Sequence, residues 1–346
     1  MSAQDIRVLL VADTHLGFDL PFRPRVERRR RGHDFFANFE RALAPALRGD
    51  VDLVVHGGDL FYRSRVPPAL VDMAMAPLVR VAEAGTPVYL VPGNHERSRI
   101  PLHLWTAHPN LHIFHRPTTF MYHGPKGSLA LSGFPFARKV RDRLGSLLDQ
   151  TGYTQEVAVP RLLCLHQTIE GAQVGVTDYT FRRGVDIIRG RDVPPGFSAV
   201  LCGHIHRAQV LSHDLSGWPL AAPVIYPGSI ERTSFAERDE EKGYYIVSVS
   251  PRAQGRAGQV DTKFVPLPTR PMISLVFEPG ARTGSALEQQ LEEQLAALDP
   301  DSVVRVQLSG QGAAAALRTL TAARLRQIAP PSMNVVLAGP RTHGEA

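Results

Sequence analysis

Short polar clusters follow five separate apolar runs, and every cluster contains a side chain that can bind a metal ion. Each apolar run is rich in Val, Ile or Leu, which predicts a buried strand that ends where the cluster begins. Residues just past the strand ends of an α/β sheet converge on one edge, where ligands bind. We therefore expect the clusters to meet. They are Asp13-Thr14-His15, Gly58-Asp59, Gly93-Asn94-His95, His166 and Gly203-His204-Ile205-His206.

The ligand types in these clusters favour a pair of divalent metal ions. Imidazole, carboxylate and amide oxygen together suit Mn, Fe, Zn or Co better than Ca or Mg, and the absence of thiolate argues against a structural zinc site. Two cations about 3.5–4 Å apart promote phosphate ester hydrolysis, with a shared carboxylate as their bridge. One Asp-x-His or Gly-Asn-His alone is commonly a turn or helix cap, so the prediction of a dimetal phosphoesterase depends on all five clusters.

The elements that position these clusters alternate between strand and helix before giving way to shorter strands. Asp34 is predicted to cap one helix, and Pro67 to open another that reaches Ala84. This order favours packed sheets flanked by helices, an α/β sandwich. The predicted strands lie at 6–12, 51–55, 88–91, 129–131, 162–165 and 199–202.

A polar, Pro-interrupted segment at 267–272 separates a second pattern of strands and helices from the first. It predicts two domains, residues 1–268 and residues 269–346. The second domain is expected to have helices at 285–298 and 313–328 and strands at 273–277, 303–308 and 334–337. Its apolar residues at helical spacing, Leu287, Leu291 and Leu295, are predicted to be core.

Composition is typical of a globular protein, and the charge balance leaves room for a polyanionic partner. The chain has 346 residues, of which 43% are hydrophobic and 21% charged, and a formal net charge of +6. Such a positive balance is compatible with nucleic acid. The N-terminal apolar run is too short for a signal peptide or membrane span, and the two cysteines, Cys164 and Cys202, lie in apolar runs. We therefore expect a cytoplasmic protein with no membrane partner.

These clusters resemble the signature blocks of the calcineurin-like metallophosphoesterase superfamily, which stand here as DTHLG, GGDLF, GNHE and GHIH. The resemblance covers residues 6–267. It narrows to the SbcD-type DNA repair exonuclease branch because LCLHQ, CGHIH and YPGSIERTSFAERDEEKGYYIV follow in that branch's order. It implies a four-layer α-β-β-α metallophosphoesterase sandwich followed by a small C-terminal α/β capping domain.

The resemblance also implies a role for each polar residue. His95 would bind no metal and would stabilise the phosphate charge or protonate the leaving oxygen, which an imidazole can do near neutral pH. Manganese is the favoured ion. One metal would be held by Asp13, His15, Asp59 and His206, and the other by Asp59, Asn94, His166 and His204.

Two features bear on the substrate. Tyr62 stands where many relatives have a histidine that contacts the phosphate, and a phenol can donate a hydrogen bond but cannot become cationic. An arginine-rich segment is expected either to bind the phosphates of a nucleic-acid backbone or to form a solvated surface whose arginines anchor the next helix. Its members are Arg23, Arg25, Arg28, Arg29, Arg30 and Arg31.

Other residues near the clusters have structural interpretations. His56, on the strand before Asp59, is expected to be core or to support the site from behind. Phe134 and Phe136 are expected to pack against the sheet, although an exposed ring could stack on a base.

The sequence thus favours a manganese-dependent DNA nuclease, an exonuclease with endonuclease action left open, in DNA repair. A phosphodiesterase or phosphatase for nucleotides or other small molecules uses the same site, and a non-enzymatic DNA-binding subunit is the third alternative. The resemblance raises an SbcC-type ATPase subunit and a second copy of the chain as partners besides DNA. No residue pattern shows whether the ATPase subunit or the second copy binds. A long C-terminal arm that would dock an ATPase is not expected.

Overall fold

Six-stranded sheets dominate the fold. The computed structural model describes residues 5–20, 30–96, 108–155, 159–250, 258–282 and 284–338. The helices are α1 (Arg31–Leu47), α2 (Pro68–Glu83), α3 (Val140–Thr151), α4 (Gly284–Ala296), α5 (Ala313–Thr319) and α6 (Ala322–Ile328). The strands are β1 (Ile6–Val11), β2 (Leu53–His56), β3 (Val88–Leu90), β4 (Leu111–Ile113), β5 (Thr118–Gly124), β6 (Gly127–Gly133), β7 (Arg161–His166), β8 (Thr168–Ile169), β9 (Gln173–Val174), β10 (Tyr179–Thr180), β11 (Ile187–Ile188), β12 (Ala199–Gly203), β13 (Gln209–His213), β14 (Pro219–Tyr226), β15 (Gly243–Val249), β16 (Val260–Pro266), β17 (Met272–Phe277), β18 (Val303–Leu308) and β19 (Asn334–Leu337).

Both large sheets have a centre of parallel strands. The first sheet has the order β16-β15-β1-β2-β3-β4, in which β1 to β4 are parallel. The second has the order β13-β14-β12-β7-β6-β5, in which β14, β12, β7 and β6 are parallel. Parallel strands with the same direction place all their carboxyl ends at one edge of a sheet.

The sheets pack face to face between two helical layers. In β1, Val8 and Leu10 belong to a core shared with strands of the second sheet, whereas Leu9 and Val11 pack against residues of α1 and α2. Helix α3 covers the other face of the second sheet. Strands buried on both faces must be apolar at every position, which explains their unbroken runs of Val, Ile and Leu. The predicted four-layer α-β-β-α sandwich is confirmed.

Two predicted helix boundaries differ from the structure. Helix α1 begins at Arg31, not after Asp34, because the Asp19 carboxylate accepts a hydrogen bond from the Arg31 backbone N–H at 3.1 Å and caps the first turn. The single helix predicted at 313–328 is wrong. It is broken into α5 and α6, because Thr321 caps the second helix by accepting a hydrogen bond from the Arg324 backbone N–H.

The chain divides into two compact units. The first comprises Met1–Phe18, Asp34–Arg232 and Glu240–Pro268, and the second comprises Asp19–His33, Thr233–Asp239 and Thr269–Ala346. The second unit contains the parallel sheet β17-β18-β19, and α4 buries the three predicted core leucines against it. A domain boundary after residue 268 remains a prediction. Within the described ranges, no helix has the length and apolarity needed to span a membrane.

Candidate metal centre

All five polar clusters lie at the carboxyl ends of the parallel strands. In the first sheet, Asp13 follows β1, Asp59 follows β2 and Asn94 follows β3. In the second sheet, His166 is the last residue of β7 and His204 follows β12 directly. Strands of both sheets end at this edge, so side chains from the two sheets meet across it. The five clusters come together as the strand pattern predicts.

The first group of donor atoms joins the loop after β1 to the loop after β12. His15 Nε2 lies 2.9 Å from His206 Nε2, and the ligand atoms of Asp13, His15 and His206 all lie within 4.8 Å of one another. The Asp13 carboxylate accepts hydrogen bonds from the His204 backbone N–H at 3.0 and 3.1 Å, which fixes its direction. Two imidazole nitrogens directed at the same point suit a common cation.

The second group brings four donor atoms from both sheets together. Asn94 Oδ1 lies 3.1 Å from His166 Nε2 and 3.0 Å from His204 Nδ1. His166 Nε2 lies 3.3 Å from His204 Nδ1 and 3.4 Å from Asp59 Oδ2. Ligand atoms that share a metal at about 2.0–2.2 Å stand about 3 Å apart. The spacing of this group therefore fits a first-row divalent metal.

Asp59 occupies the position between the two groups. Its carboxylate clusters with His166 and His204 on one side and with His15 and His95 on the other. The side chain is almost fully buried, with 4% of its surface exposed. A carboxylate in contact with both groups is placed to bridge two cations.

Hydrogen bonds behind the donors set their orientation. His166 Nδ1 lies 2.7 Å from the carbonyl oxygen of Gly57, so Nδ1–H donates and Nε2 faces the cluster. Such a partner on the second ring nitrogen is the usual way to fix the tautomer of a metal-binding histidine.

The backbone of four of these residues lies in the left-handed region. The φ angle is +50° at Asp13, +43° at His15, +52° at Asp59 and +89° at His204. Non-glycine residues avoid this region at a cost of about 1–3 kcal/mol each, and such strain collects at functional sites. Four strained residues around one point indicate that the surrounding structure is organised to hold their side chains there.

Burial shifts the protonation of the donors. It raises the pKa of Asp13 to about 6 and lowers the pKa of His15 and His204 to about 3. Burial also opposes the charged forms of Asp59 and His166, but their mutual attraction outweighs it, lowering the pKa of Asp59 and raising that of His166 to about 9. Neutral imidazoles and an ionised carboxylate are the forms that bind metal. Metal binding would release the proton of His166.

His95 lies beside the donor groups with one ring nitrogen already occupied. Its Nδ1 is 2.5 Å from the backbone carbonyl of Tyr62, to which only an N–H can donate. Its Nε2 lies 3.7 Å from Asp59 Oδ2, and 30% of the side chain is exposed. The Tyr62 ring packs edge-on against Phe18 and lies 6.1 Å from the His15 ring. Both predicted substrate-contacting residues therefore border the cluster.

Sequence reasoning missed Glu96. This residue is 5% exposed, and its carboxylate accepts hydrogen bonds from the backbone N–H groups of Asp59 at 2.9 Å, Phe61 at 2.9 Å and Gly93 at 2.8 Å. Burial and the neighbouring Asp59 raise its pKa to about 8. Glu96 ties the loop after β2 to the loop after β3. Its place directly after Gly93-Asn94-His95 was the only signal in the sequence.

His56 is fully buried, as expected, and supports the site from behind. Its Nδ1 accepts a hydrogen bond from the Gly58 backbone N–H at 3.2 Å, which leaves Nε2–H to donate to Thr14 Oγ1 at 3.2 Å. Burial lowers its pKa to about 3. The neutral ring therefore links the loops after β1 and β2.

The two phenylalanines differ in their surroundings. Phe134 is fully buried in the core of the second sheet, as predicted. Phe136 is only half-buried, and its ring lies 5.7 Å from the His204 ring and 6.2 Å from the His166 ring. It forms one border of the cluster.

Of the six arginines, Arg23, Arg25, Arg28 and Arg29 lie outside the described residues. Arg30 forms an ion pair with Asp19, and Arg31 is 8% exposed at the start of α1. These positions favour the alternative in which these two arginines anchor the helix.

Comparison with known proteins shows the family to which the chain belongs. The model of the calcineurin-like phosphoesterase family matches residues 6–208. The DNA double-strand break repair protein Mre11 of Haloferax volcanii is 32% identical, with 88% of this chain and 62% of that protein aligned. Mre11 of Methanosarcina mazei is 29% identical, with 89% and 46% aligned, and the uncharacterized metallophosphoesterase YhaO of Bacillus subtilis is 27% identical, with 71% and 58% aligned. The chain thus spans about half to two thirds of their lengths. The family match and the donor groups together support divalent metal binding.

Proposed function

We propose that this chain, which belongs to the calcineurin-like phosphoesterase family, is a metal-dependent DNA nuclease that hydrolyses phosphodiester bonds during double-strand break repair. The observation that carries the proposal is the clustering of donor atoms on both sides of Asp59 at the common edge of the two sheets. The two relatives named for DNA double-strand break repair support DNA as the substrate.

The proximity of the donor atoms supports the ligand sets proposed from the sequence. One ion would be held by Asp13, His15, Asp59 and His206, and the other by Asp59, Asn94, His166 and His204. Manganese is the ion we propose, on the resemblance to the DNA repair branch; the ligand types by themselves suit Mn, Fe, Zn or Co. Two bound cations neutralise charge on the phosphate and lower the pKa of water.

His95 is the residue we propose to move a proton. Because its Nδ1–H donates to the Tyr62 carbonyl, the other nitrogen, Nε2, is left to act on the substrate. When Nε2 is protonated, it donates to a non-bridging phosphate oxygen or to the leaving oxygen. Tyr62, on the loop after β2, is proposed to contact the phosphate through its hydroxyl.

Cleavage of defined substrates in manganese tests the proposal. We expect the purified chain to cut duplex, hairpin or single-stranded DNA and the Asp59→Asn variant not to cut any of them. A protein with full metal occupancy that hydrolyses a small phosphodiester but no DNA would instead support the nucleotide or small-molecule phosphodiesterase. A metal-loaded protein without either activity would leave the non-enzymatic DNA-binding alternative.

Partners and location belong to the same proposal. We propose an SbcC-type ATPase subunit and a homodimer, on the resemblance to the DNA repair branch, and a cytoplasmic location. Co-purification with the ATPase subunit and light scattering of the purified chain test the first two.

A further inference from the structure

The backbone carbonyl of His206 is held by two donors from distant parts of the chain. Lys242 Nζ lies 2.9 Å from this oxygen, and the Ser229 backbone N–H donates to it at 3.0 Å. Lys242 immediately precedes β15 of the first sheet, whereas His206 lies in the loop between β12 and β13 of the second. An ammonium group from one sheet therefore holds a proposed metal ligand carried by the other.

The surroundings of Lys242 are unusual for a lysine. Its side chain is completely buried, and Nζ lies 2.9 Å from Glu240 Oε2. A buried ammonium is costly unless it is paired and hydrogen-bonded. The Glu240 carboxylate and the His206 carbonyl supply that compensation here.

The Glu240 carboxylate also binds Arg207, the residue that follows His206. Glu240 Oε1 accepts a hydrogen bond from Arg207 Nε at 3.1 Å, and Arg207 also bonds to Asp178 Oδ1 at 2.6 Å and to the Gly175 carbonyl at 2.5 Å. Lys242, Glu240 and Arg207 form a chain of buried and half-buried charges. At one end, Lys242 bonds to the His206 carbonyl, and the other end is Arg207, the next residue along the chain.

The other end of this loop is fixed independently. The His204 backbone N–H donates to Asp13, and Ile205 is buried in the hydrophobic core beneath. The segment that carries two proposed ligands is thus held at His204 by Asp13 and at His206 by Lys242. Without Lys242, only the second anchor would be weakened.

We propose that Lys242 is a positioning residue that, with Glu240 and Arg207, fixes His206 for metal binding. The inference deepens the proposed function and rests on it. An ion pair that served stability alone would need no contact with the loop of a metal ligand. Buried ion pairs are by themselves weak evidence for stability.

Calorimetric titration of the metal-free protein with manganese tests the proposal. In Lys242→Met, which keeps the length of the side chain but removes the charge and the donor, we expect affinity at the Asp13, His15 and His206 position to fall about 10–100-fold, the range for loss of a supporting partner. Affinity at the Asn94, His166 and His204 position should change less, because Asp13 still holds His204.

Lys126→Met is the matched control. Lys126 also pairs with a carboxylate, Asp52, at 3.0 Å, but belongs to none of the donor groups. It should bind manganese as the wild type does. If Lys242→Met fails to fold, Glu240→Gln serves in its place, since it keeps Lys242 but removes the charge between it and Arg207.

The outcomes separate the two proposals. A folded Lys242→Met or Glu240→Gln protein with wild-type affinity at both positions would overturn the proposal that Lys242, Glu240 and Arg207 together fix His206. Wild-type protein that binds two manganese ions but cuts no DNA would overturn the nuclease and leave Lys242 in place. No manganese binding by the wild type would overturn both.

Discussion

Four donors of the candidate metal centre are held in unfavourable backbone conformations. Asp13, His15, Asp59 and His204 all have positive φ angles, and three of them lie within three residues of a glycine. The neighbouring glycines leave space around these residues, but the strained positions themselves are occupied by aspartate and histidine. The strain is tolerated because each side chain is fixed by partners from other loops.

Asp59→Asn should weaken manganese binding at both positions, because it removes the shared negative charge, whereas His95→Gln should leave metal binding intact. We expect an affinity loss of at least about 10–100-fold in the first variant and a turnover loss of about 10²–10⁴-fold in the second. Calorimetry and DNA cleavage on the same preparations measure both. Wild-type rates in both variants would rule out the assigned site.

Gly93→Ala should displace Asp59. A Cβ at this position would overlap the Asp59 carboxylate and lie 2.5 Å from its backbone nitrogen. Overpacking of this kind costs about 1–3 kcal/mol, and we expect manganese affinity to fall with it. Gly145→Ala is the control, because a Cβ there meets open space on helix α3. Denaturant unfolding and calorimetry compare them, and equal affinities would contradict the steric argument.

Among the structural elements, the loops after β1, β2, β3 and β12 are each held in place by a side chain that binds no metal in the proposed scheme. Glu96 joins the loops after β2 and β3, His56 joins those after β1 and β2, and Lys242 holds the loop after β12. The strand ends bring the donors near each other. These links decide their final directions.

Glu96→Ala should destabilise the fold and the site together. It leaves three buried backbone N–H groups without their acceptor, which we expect to lower the free energy of unfolding by about 2–5 kcal/mol. Urea denaturation measures the change, and calorimetry should show weaker manganese binding. Glu96→Gln keeps one acceptor oxygen and should lie between alanine and wild type. An unfolding free energy within about 0.5 kcal/mol of wild type for Glu96→Ala would contradict this role.

At the scale of the whole molecule, the net charge of +6 favours a polyanionic partner. Which arginines contact DNA is a separate question. Arg30 pairs with Asp19 and Arg31 is buried at the start of α1, so the DNA-binding prediction now depends on the other four arginines of the segment.

Replacing Arg23, Arg25, Arg28 and Arg29 by Gln should weaken DNA binding and reduce its salt dependence. If all four contact phosphates, the slope of log affinity against log salt should fall by as much as about 3.6, at about 0.9 per contact. A control with the same charge change replaces Arg48, Arg80, Arg238 and Arg324, each paired with an acid. Equal losses in both variants would show that net charge, not this segment, is responsible.

Arg270→Ala tests the predicted domain boundary. Arg270 is 9% exposed, and its guanidinium donates to Asn334 Oδ1 and to the carbonyls of Asp301 and Ser332 within the second unit. We expect faster proteolysis of residues 269–338 with unchanged manganese affinity, as limited digestion and calorimetry would show. A parallel loss of metal binding would mean that the two domains do not fold independently.

The donor types and the strands that carry them could be predicted from the residues alone. Both are local properties, since Val, Ile and Leu runs mark strands buried on both faces and the polar residues follow directly. The five clusters, the sandwich of two sheets and the family were predictable for that reason. The break at Leu320 and the start of α1 at Arg31 were not, because caps supplied by Thr321 and Asp19 decide them.

The way in which the donors are held depends on contacts between distant parts of the chain. The contacts of Asp59 with Glu96 and of His206 with Lys242 join residues 36 or more positions apart, and no local pattern marks such pairs. The positive φ angles at Asp13, His15, Asp59 and His204 are likewise marked by no local sequence pattern. The residue types determine which ligands are available to a metal, and the packing of the two sheets sets the orientation of those side chains.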